Sequence, residues 1–240
     1  MAVTPHDCIT CKVRSCSILD TCDTKTLAAI SAYKLSRSLQ KGERLFSEGD
    51  PILGVCFIKK GFLKVELNGK LSRPLILRIA GKGAIFGHRV NARHTFHSCS
   101  ATATSEVQYC YIPYDLFNEI ICKSPMLKQQ VVNQYLVELE QVERKAVYLA
   151  HKTVREKMAE ALLLLAEAYQ YEEKKQSFRI SFCRQDIADL AGTTKEQVSK
   201  TLKDFEKEGM IKCAAKKFNY LNIVRLQAVT SHSSSPEVRK

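Results

Sequence analysis

Several things are missing from this 240-residue chain. No apolar run approaches the roughly 20 residues that a membrane-spanning helix needs. The first residues lack the apolar core of a secretory signal. A soluble, cytoplasmic protein with no membrane partner is therefore expected. In that compartment the ten cysteines stand as thiols, which argues against a disulfide framework and leaves metal binding, redox chemistry or burial. No nucleophile paired with a base and no phosphate-binding loop emerges, so no enzyme is expected. Acidic residues are also short, 25 against 37 basic, giving a net charge of +12. The excess is spread over the chain, with 20 basic against 13 acidic residues in 1–150 and 17 against 12 beyond. A polyanion such as nucleic acid is the partner that balance fits.

What is present begins with the cysteines. Cys8, Cys11, Cys16 and Cys22 crowd a stretch with no apolar periodicity. A core cysteine behaves as a small hydrophobe inside a patterned element, so these four read as ligands or redox groups. A short helix over 24–34 follows, with Asp23 or Thr24 as its cap. From Lys41 the texture changes: Gly42, Gly49, Gly61, Gly69, Gly81, Gly83 and Gly87 punctuate short apolar runs such as 44–46, 55–58, 62–65, 75–77 and 107–112. Short strands joined by glycine turns predict an antiparallel barrel or roll.

Beyond Pro113 the pattern turns helical, over 114–122 and then past Pro125. Val132, Tyr135, Leu139, Val142, Ala146 and Leu149 step alternately by three and four, a heptad seam that predicts a dimer helix. A further helix over 151–171, a strand over 178–182, and two helices within 183–208 broken at Gly192-Thr193-Thr194 have helix-turn-helix spacing. Runs at 211–213 and 221–224 frame a basic hairpin containing Lys216 and Lys217, a candidate wing. The fold class expected is α+β: a cysteine-rich segment (1–23), an antiparallel β-roll (24–124), a dimerisation helix (125–150), a winged helix-turn-helix (151–228) and a disordered polar tail (229–240).

A recognition helix must offer polar side chains to base edges while its apolar face stays docked. Lys195, Glu196, Ser199, Lys200 and Lys203 take the exposed places here. Glu196 suits a cytosine amino group, Ser199 a base or methyl group and Lys200 guanine acceptors, while Arg184 and Lys203 suit phosphates. The remaining cysteines, Cys56, Cys99, Cys122, Cys183 and Cys213, read as packing. His88, His94 and His97 share a loop region and read as polar surface rather than haem ligands.

The order of roll, long helix and winged helix-turn-helix resembles the CRP/FNR transcription regulators. The strings Gln40-Lys41-Gly42-Glu43-Arg44-Leu45-Phe46, Ile58-Lys59-Lys60-Gly61 and Arg184-Gln185-Asp186-Ile187-Ala188-Asp189 carry the likeness. The resemblance implies a cyclic-nucleotide-binding-like roll and a homodimer on a palindromic double-stranded DNA operator, with RNA polymerase as a further partner. Cyclic-AMP binders of the family hold ribose and phosphate with a Gly-Glu and an Arg-Ser pair. The matching places here are Gly87-His88 and His97-Ser98, so no cAMP is expected, because the phosphate would lack its arginine.

The chain is most similar to the FNR branch. Regulators of that type hold a four-iron four-sulfur (4Fe-4S) cluster with three N-terminal cysteines and one in a Cys-x-Ile-Pro context. Cys110-Tyr111-Ile112-Pro113 matches that context, and Cys8, Cys11 and Cys16 match the other three. The interval from Cys11 to Cys16 is one residue shorter than the enterobacterial pattern, which makes Cys22 a substitute candidate. Lys200 stands where that pattern has arginine. Read from their chemistry, the same thiols also suit a structural zinc or a thiol switch. With a cluster tied to Cys110, the segment would be ordered against the roll and bias the dimer helix beside it.

Overall fold

Side-chain alternation decides the layering of the first half of the chain. The computed structural model describes residues 7–68, 73–90, 95–171, 182–214 and 217–231. The chain divides into two compact units, Met1–Asn68 with Ala80–Val142, and Gly69–Ile79 with Glu143–Lys240. Eight strands form the roll: β1 (Leu35–Leu39), β2 (Arg44–Phe46), β3 (Gly54–Lys60), β4 (Leu63–Leu67), β5 (Leu75–Ala80), β6 (Ile85–Phe86), β7 (Ser100–Ala103) and β8 (Val107–Pro113). They make two four-stranded sheets, ordered β1-β8-β3-β6 and β2-β7-β4-β5.

In the first sheet β8 runs antiparallel to both β1 and β3, with Phe57 opposite Cys110 and Val55 opposite Ile112. Successive strand residues face opposite sides. Tyr109 and Val107 therefore join Cys56, Ile58, Leu63, Val65 and Ala101 in one core cluster. Cys110 and Ile112 face the other way, with Val55 and Phe57. That second face is covered by α1 (Thr24–Tyr33), α2 (Tyr114–Lys123) and the start of α3 (Pro125–His151), through Leu27, Ile30, Phe117, Ile120, Leu127 and Val131. Cys8, Ile18, Leu19 and Cys22 share this cluster, so the N-terminal segment lies against the roll. Asp23 caps α1 by accepting from the Thr26 amide at 2.6 Å.

The second unit holds α4 (Val154–Ala168), α5 (Arg184–Ala191), α6 (Lys195–Lys207), β9 (Ile211–Ala214), β10 (Lys217–Leu221) and α7 (Ile223–Ser231). Met158, Leu162, Leu165, Ile187, Leu190, Val198 and Phe205 form its core. The break expected at residue 151 falls at Thr153, whose side chain closes a capping box with Glu156.

Some expectations need correction. The strand expected over 221–224 ends at Leu221, because the Asn222 carboxamide accepts from the Arg225 amide at 3.0 Å and opens α7. Leu226 of that helix is fully buried, which holds it on the core. Residues 229–231, expected in the tail, continue α7; 232–240 lie outside the described residues. So do 178–181 of the expected strand, and Lys216 of the wing. β1, β6 and β7 escaped the sequence reading: β1 is largely exposed and β6 has two residues. Among the described residues no helix is long and apolar enough to cross a membrane.

Candidate functional site

The helix pair α5–α6 is built from local signals. Cys183 caps α5: its sulfur accepts from the Asp186 amide at 3.4 Å while the Asp186 carboxylate accepts from the Cys183 amide at 2.9 Å. Gly192 ends the helix in the left-handed region at φ +63°, and a Cβ there would meet the Leu149 side chain at 2.5 Å. Only glycine satisfies both the turn and that approach. Thr194 then caps α6 by accepting from the Gln197 amide at 3.3 Å.

In α6 Val198, Thr201, Leu202 and Phe205 are buried, the i, i+3, i+4, i+7 spacing of a docked face. On the opposite side Lys195, Glu196, Lys200 and Lys203 are exposed, and so is Arg184 at the start of α5. Ser199 is half-buried and its hydroxyl donates to the Lys195 carbonyl at 2.9 Å, which leaves its oxygen as an acceptor only. The Glu196 carboxyl is held below the usual carboxylate range by its own backbone N–H and then by the Thr194 hydroxyl. Glu196 thus contributes to the helix N-terminus as well as to the exposed face.

Along α3, Val132, Tyr135, Leu139, Val142 and Ala146 of the heptad seam are exposed; Leu139 is 55% and Val142 52% accessible. Leu136 and Val147, each 61% accessible, widen this apolar stripe. Sequence reasoning had not singled them out. Leu149 departs from the seam: it is half-buried with its side chain toward Gly192. Glu138, next to Leu139 of the seam, is only 3% accessible. Arg89 donates to its Oε2 from Nε at 2.8 Å, and Gln134 donates to Oε1 at 3.0 Å. His88 lies buried beside it, Nε2 3.3 Å from Oε2, its ring stacked on Tyr135. Neither His88 nitrogen makes a hydrogen bond among the described residues. Gln134 lies one helical turn before this acid, but its charged partner Arg89 and the His88 ring come from far away in the sequence.

His97 has a different setting. It stacks on Phe46 with ring centroids 3.6 Å apart, and burial pulls its pKa down. His88 and His97 therefore serve separate contacts. His94 lies outside the described residues.

The cysteines separate into two groups. Cys8, Cys11 and Cys110 line one pocket, together with Arg14, Lys34 and Lys59. The segment reaches it through consecutive tight turns, with the Cys11 amide on the Cys8 carbonyl, Arg14 on Cys11 and Ser17 on Arg14, at 3.4, 3.1 and 2.9 Å. A single 3-10 turn (Arg14–Cys16) brings Cys16 to the surface. Gly83, which also lines the pocket, accommodates it: a Cβ on Gly83 would stand 1.9 Å from the Cys16 carbonyl oxygen. Burial pushes the Cys110 thiol up, Lys34 and Lys59 pull it down, and Cys8 and Cys11 push it up again. The three sulfurs therefore share one electrostatic environment. Cys22 belongs to the second group, 6% accessible in the apolar cluster, its thiol pushed up to about 11 by burial. Cys56 lies between the sheets, pushed up to about 12.

Among the described residues no three His, Cys, Asp or Glu side chains group as a site for a single metal ion. The packing expected of Cys122 and Cys183 does not hold, since both are exposed; Cys183 instead caps α5 through its sulfur. Cys99 is half-buried; the Cys213 side chain is outside the described set.

Residues 36–124 match the cyclic nucleotide-binding domain family, and residues 156–229 the Crp-like helix-turn-helix domain family. The transcriptional activator protein FnrL of Cereibacter sphaeroides is 26% identical over 217 residues, covering 88% of this chain and 86% of that protein. The fumarate and nitrate reduction regulatory protein of Salmonella typhimurium is 25% identical over 228 residues, 92% and 90% of the two chains. The anaerobic regulatory protein of Aggregatibacter actinomycetemcomitans is 24% identical over 220 residues, 89% and 85%. In fold the chain is similar to FixK2 of Bradyrhizobium japonicum, with a TM-score of 0.72 at 20% identity over 82% of this chain and 96% of that one.

Proposed function

The chain belongs to the CRP/FNR family of DNA-binding transcription regulators, close to its FNR branch, and from that premise we propose that it senses oxygen or redox state through an iron–sulfur cluster. The observation that carries this reading is the position of Cys110. Strand register turns its side chain to the helix-covered face of the roll, into the pocket lined by Cys8 and Cys11. Thiolates are the ligands such clusters use, and four are needed. Cys16 is the fourth: it is exposed, and its backbone abuts Gly83 at the same pocket. Cys22 fits poorly, because it does not line that pocket, whereas Cys8, equally buried in the same apolar cluster, does.

By their chemistry the same thiols also suit one zinc ion; the match of Cys8, Cys11, Cys16 and Cys110 to the cysteine pattern of FNR-type regulators is what favours a cluster. When bound, the cluster would supply an oxygen-labile centre. The chain's own residues do the rest: the turns over 8–17 shape the segment, Cys8, Ile18 and Leu19 pack it on the roll, and Phe57, Leu127 and Val131 join that face to the base of α3. Ordering or releasing the segment would then bias α3.

The exposed stripe of α3 supports a homodimer, since Leu139 and Val142 lack cover among the described residues and a partner helix would supply it. A dimer sets two recognition helices on the halves of a palindromic operator. Lys200 and Glu196 take base edges, Ser199 accepts, and Arg184, Lys195 and Lys203 neutralise phosphates. RNA polymerase is the further partner for a regulator of this class, and the names of the relatives point to anaerobic control. His88, turned toward Glu138, leaves the roll without the acid of a cyclic-AMP site.

Anaerobic purification followed by visible absorption, iron and sulfide assay, and operator binding before and after air tests the proposal. Brown protein that binds its operator and loses both colour and binding in air is expected. Colourless, iron-free protein that still binds overturns it, and stoichiometric zinc in its place would assign the site to a structural metal.

A further inference from the structure

Lys34 is a lysine buried to 8% accessibility at the C-terminal cap of α1. Burying an ammonium is costly unless negative charge or acceptors compensate it. Its Nζ donates to the sulfur of Cys8 at 3.1 Å. One helical turn earlier Ser31 accepts from the Cys8 amide at 2.8 Å and donates to the Asp7 carboxylate at 3.1 Å. Residues three apart on a helix share a face, so α1 grips Cys8 at two atoms, its backbone nitrogen and its sulfur. Asp7, the carboxylate near enough to feel Lys34, is also engaged by the Ile9 amide. Lys34 lines the pocket that holds Cys11 and Cys110, and its charge reaches Cys110 as well.

We propose that Lys34 is a positioning residue of the cluster site, fixing Cys8 as a ligand and stabilising the electron-rich state of a bound cluster through an N–H to sulfur contact. The inference rests on the iron–sulfur reading of that pocket. The physics is general: hydrogen bonds to cluster sulfurs help set reduction potential. A charge-assisted donor favours the state with more negative charge on sulfur. A thiolate ligand would in turn bring negative charge beside the buried ammonium. Lys59 and Arg14 add positive charge at the same pocket, but Lys34 has the contact with a ligand sulfur.

The test compares wild-type protein with Lys34→Met, which keeps length and suits burial, and with Lys34→Arg, which keeps a cationic donor. Each is reconstituted anaerobically and assayed for iron and sulfide, for the midpoint potential of the cluster absorption, and for the half-life of that absorption in air-saturated buffer. Circular dichroism verifies the fold. The expected result is a lower potential and a half-life shortened several-fold in Lys34→Met, with Lys34→Arg near wild type. Loss of the cluster from folded Lys34→Met with retention in Lys34→Arg supports the same role. Lys34→Met indistinguishable from wild type in potential and half-life overturns the inference while the cluster reading stands. So does a folded Lys34→Arg that behaves like Lys34→Met, since a cationic donor would then not be what the position supplies. Wild-type protein that takes up no iron or sulfide overturns both.

Discussion

In the helix-turn-helix each structural decision is made within a few residues, whereas the cysteine pocket is assembled from the two ends of the roll. Cys183, Gly192 and Thr194 cap α5 and α6 from immediately adjacent positions, and the apolar face of α6 repeats at helical spacing. The pocket instead depends on the register of β8 against β3, on Gly83, and on the grip of α1 on Cys8. Locally determined elements tolerate change elsewhere. An assembly of distant parts fails as a unit, the behaviour a switch needs.

The sharpest test of that contrast sets two cysteines of the helix-covered face of the roll against each other. Cys110→Ser should abolish iron and sulfide uptake, while Cys22→Ala, in the same apolar cluster but outside the pocket lining, should keep the full complement. Equal loss in both, with the fold intact, would show that the pocket has been misassigned. A charge on the α3 stripe comes next. Leu139→Glu should convert the proposed dimer to monomer in sedimentation and remove most operator affinity without unfolding the roll, because Leu139 is more than half exposed. A variant that stays dimeric would place the interface elsewhere.

Smaller effects belong to the local half. Thr194→Ala removes the α6 cap and should destabilise the second unit by about 1 kcal/mol, read by thermal unfolding, with iron content unchanged. A change in iron content would mean that the two regions are not independent. The smallest effect is pH-dependent. Lys145 donates to the Leu190 carbonyl at 2.6 Å, and burial lowers its pKa to about 8, with Glu160 opposing and Lys157 adding to the shift. The unfolded chain keeps that proton up to the ordinary 10.5. Between the two values the unfolded state binds more protons, so this contribution to stability rises with pH above about 8. Lys145→Met should flatten that rise. The readout is unfolding at alkaline pH kept below the ordinary tyrosine pKa, because Tyr148 is pushed upward by burial and begins to act in the opposite sense there.

The parts legible in the sequence are those whose physics is local. Glycine-punctuated strands, the heptad step along α3, the Gly192-Thr193-Thr194 turn and the exposed Lys195, Glu196, Lys200 and Lys203 follow from period and from cap chemistry. β1 was not legible, because its pairing with β8 rests on backbone hydrogen bonds and its exposed side chains give no alternation. Nor was α7, whose helical state is decided by the Asn222 cap and by burial of Leu226.

The cysteines show where the boundary lies. Their crowding over 8–22, and the context of Cys110, nominated five thiols from sequence alone. Only the tertiary structure could sort them, because a side chain's face on β8 depends on strand register, and the burial of Cys22 depends on helices that meet it from α1 through α3. Lys34 and Glu138 belong on the same side of that line. Each looks like an ordinary surface charge in the sequence, and each is buried with a partner brought from a distant part of the chain, Cys8 for Lys34 and Arg89 for Glu138. Composition and period determine which elements form and which face is apolar; the meeting of charged groups across the roll is decided by packing alone.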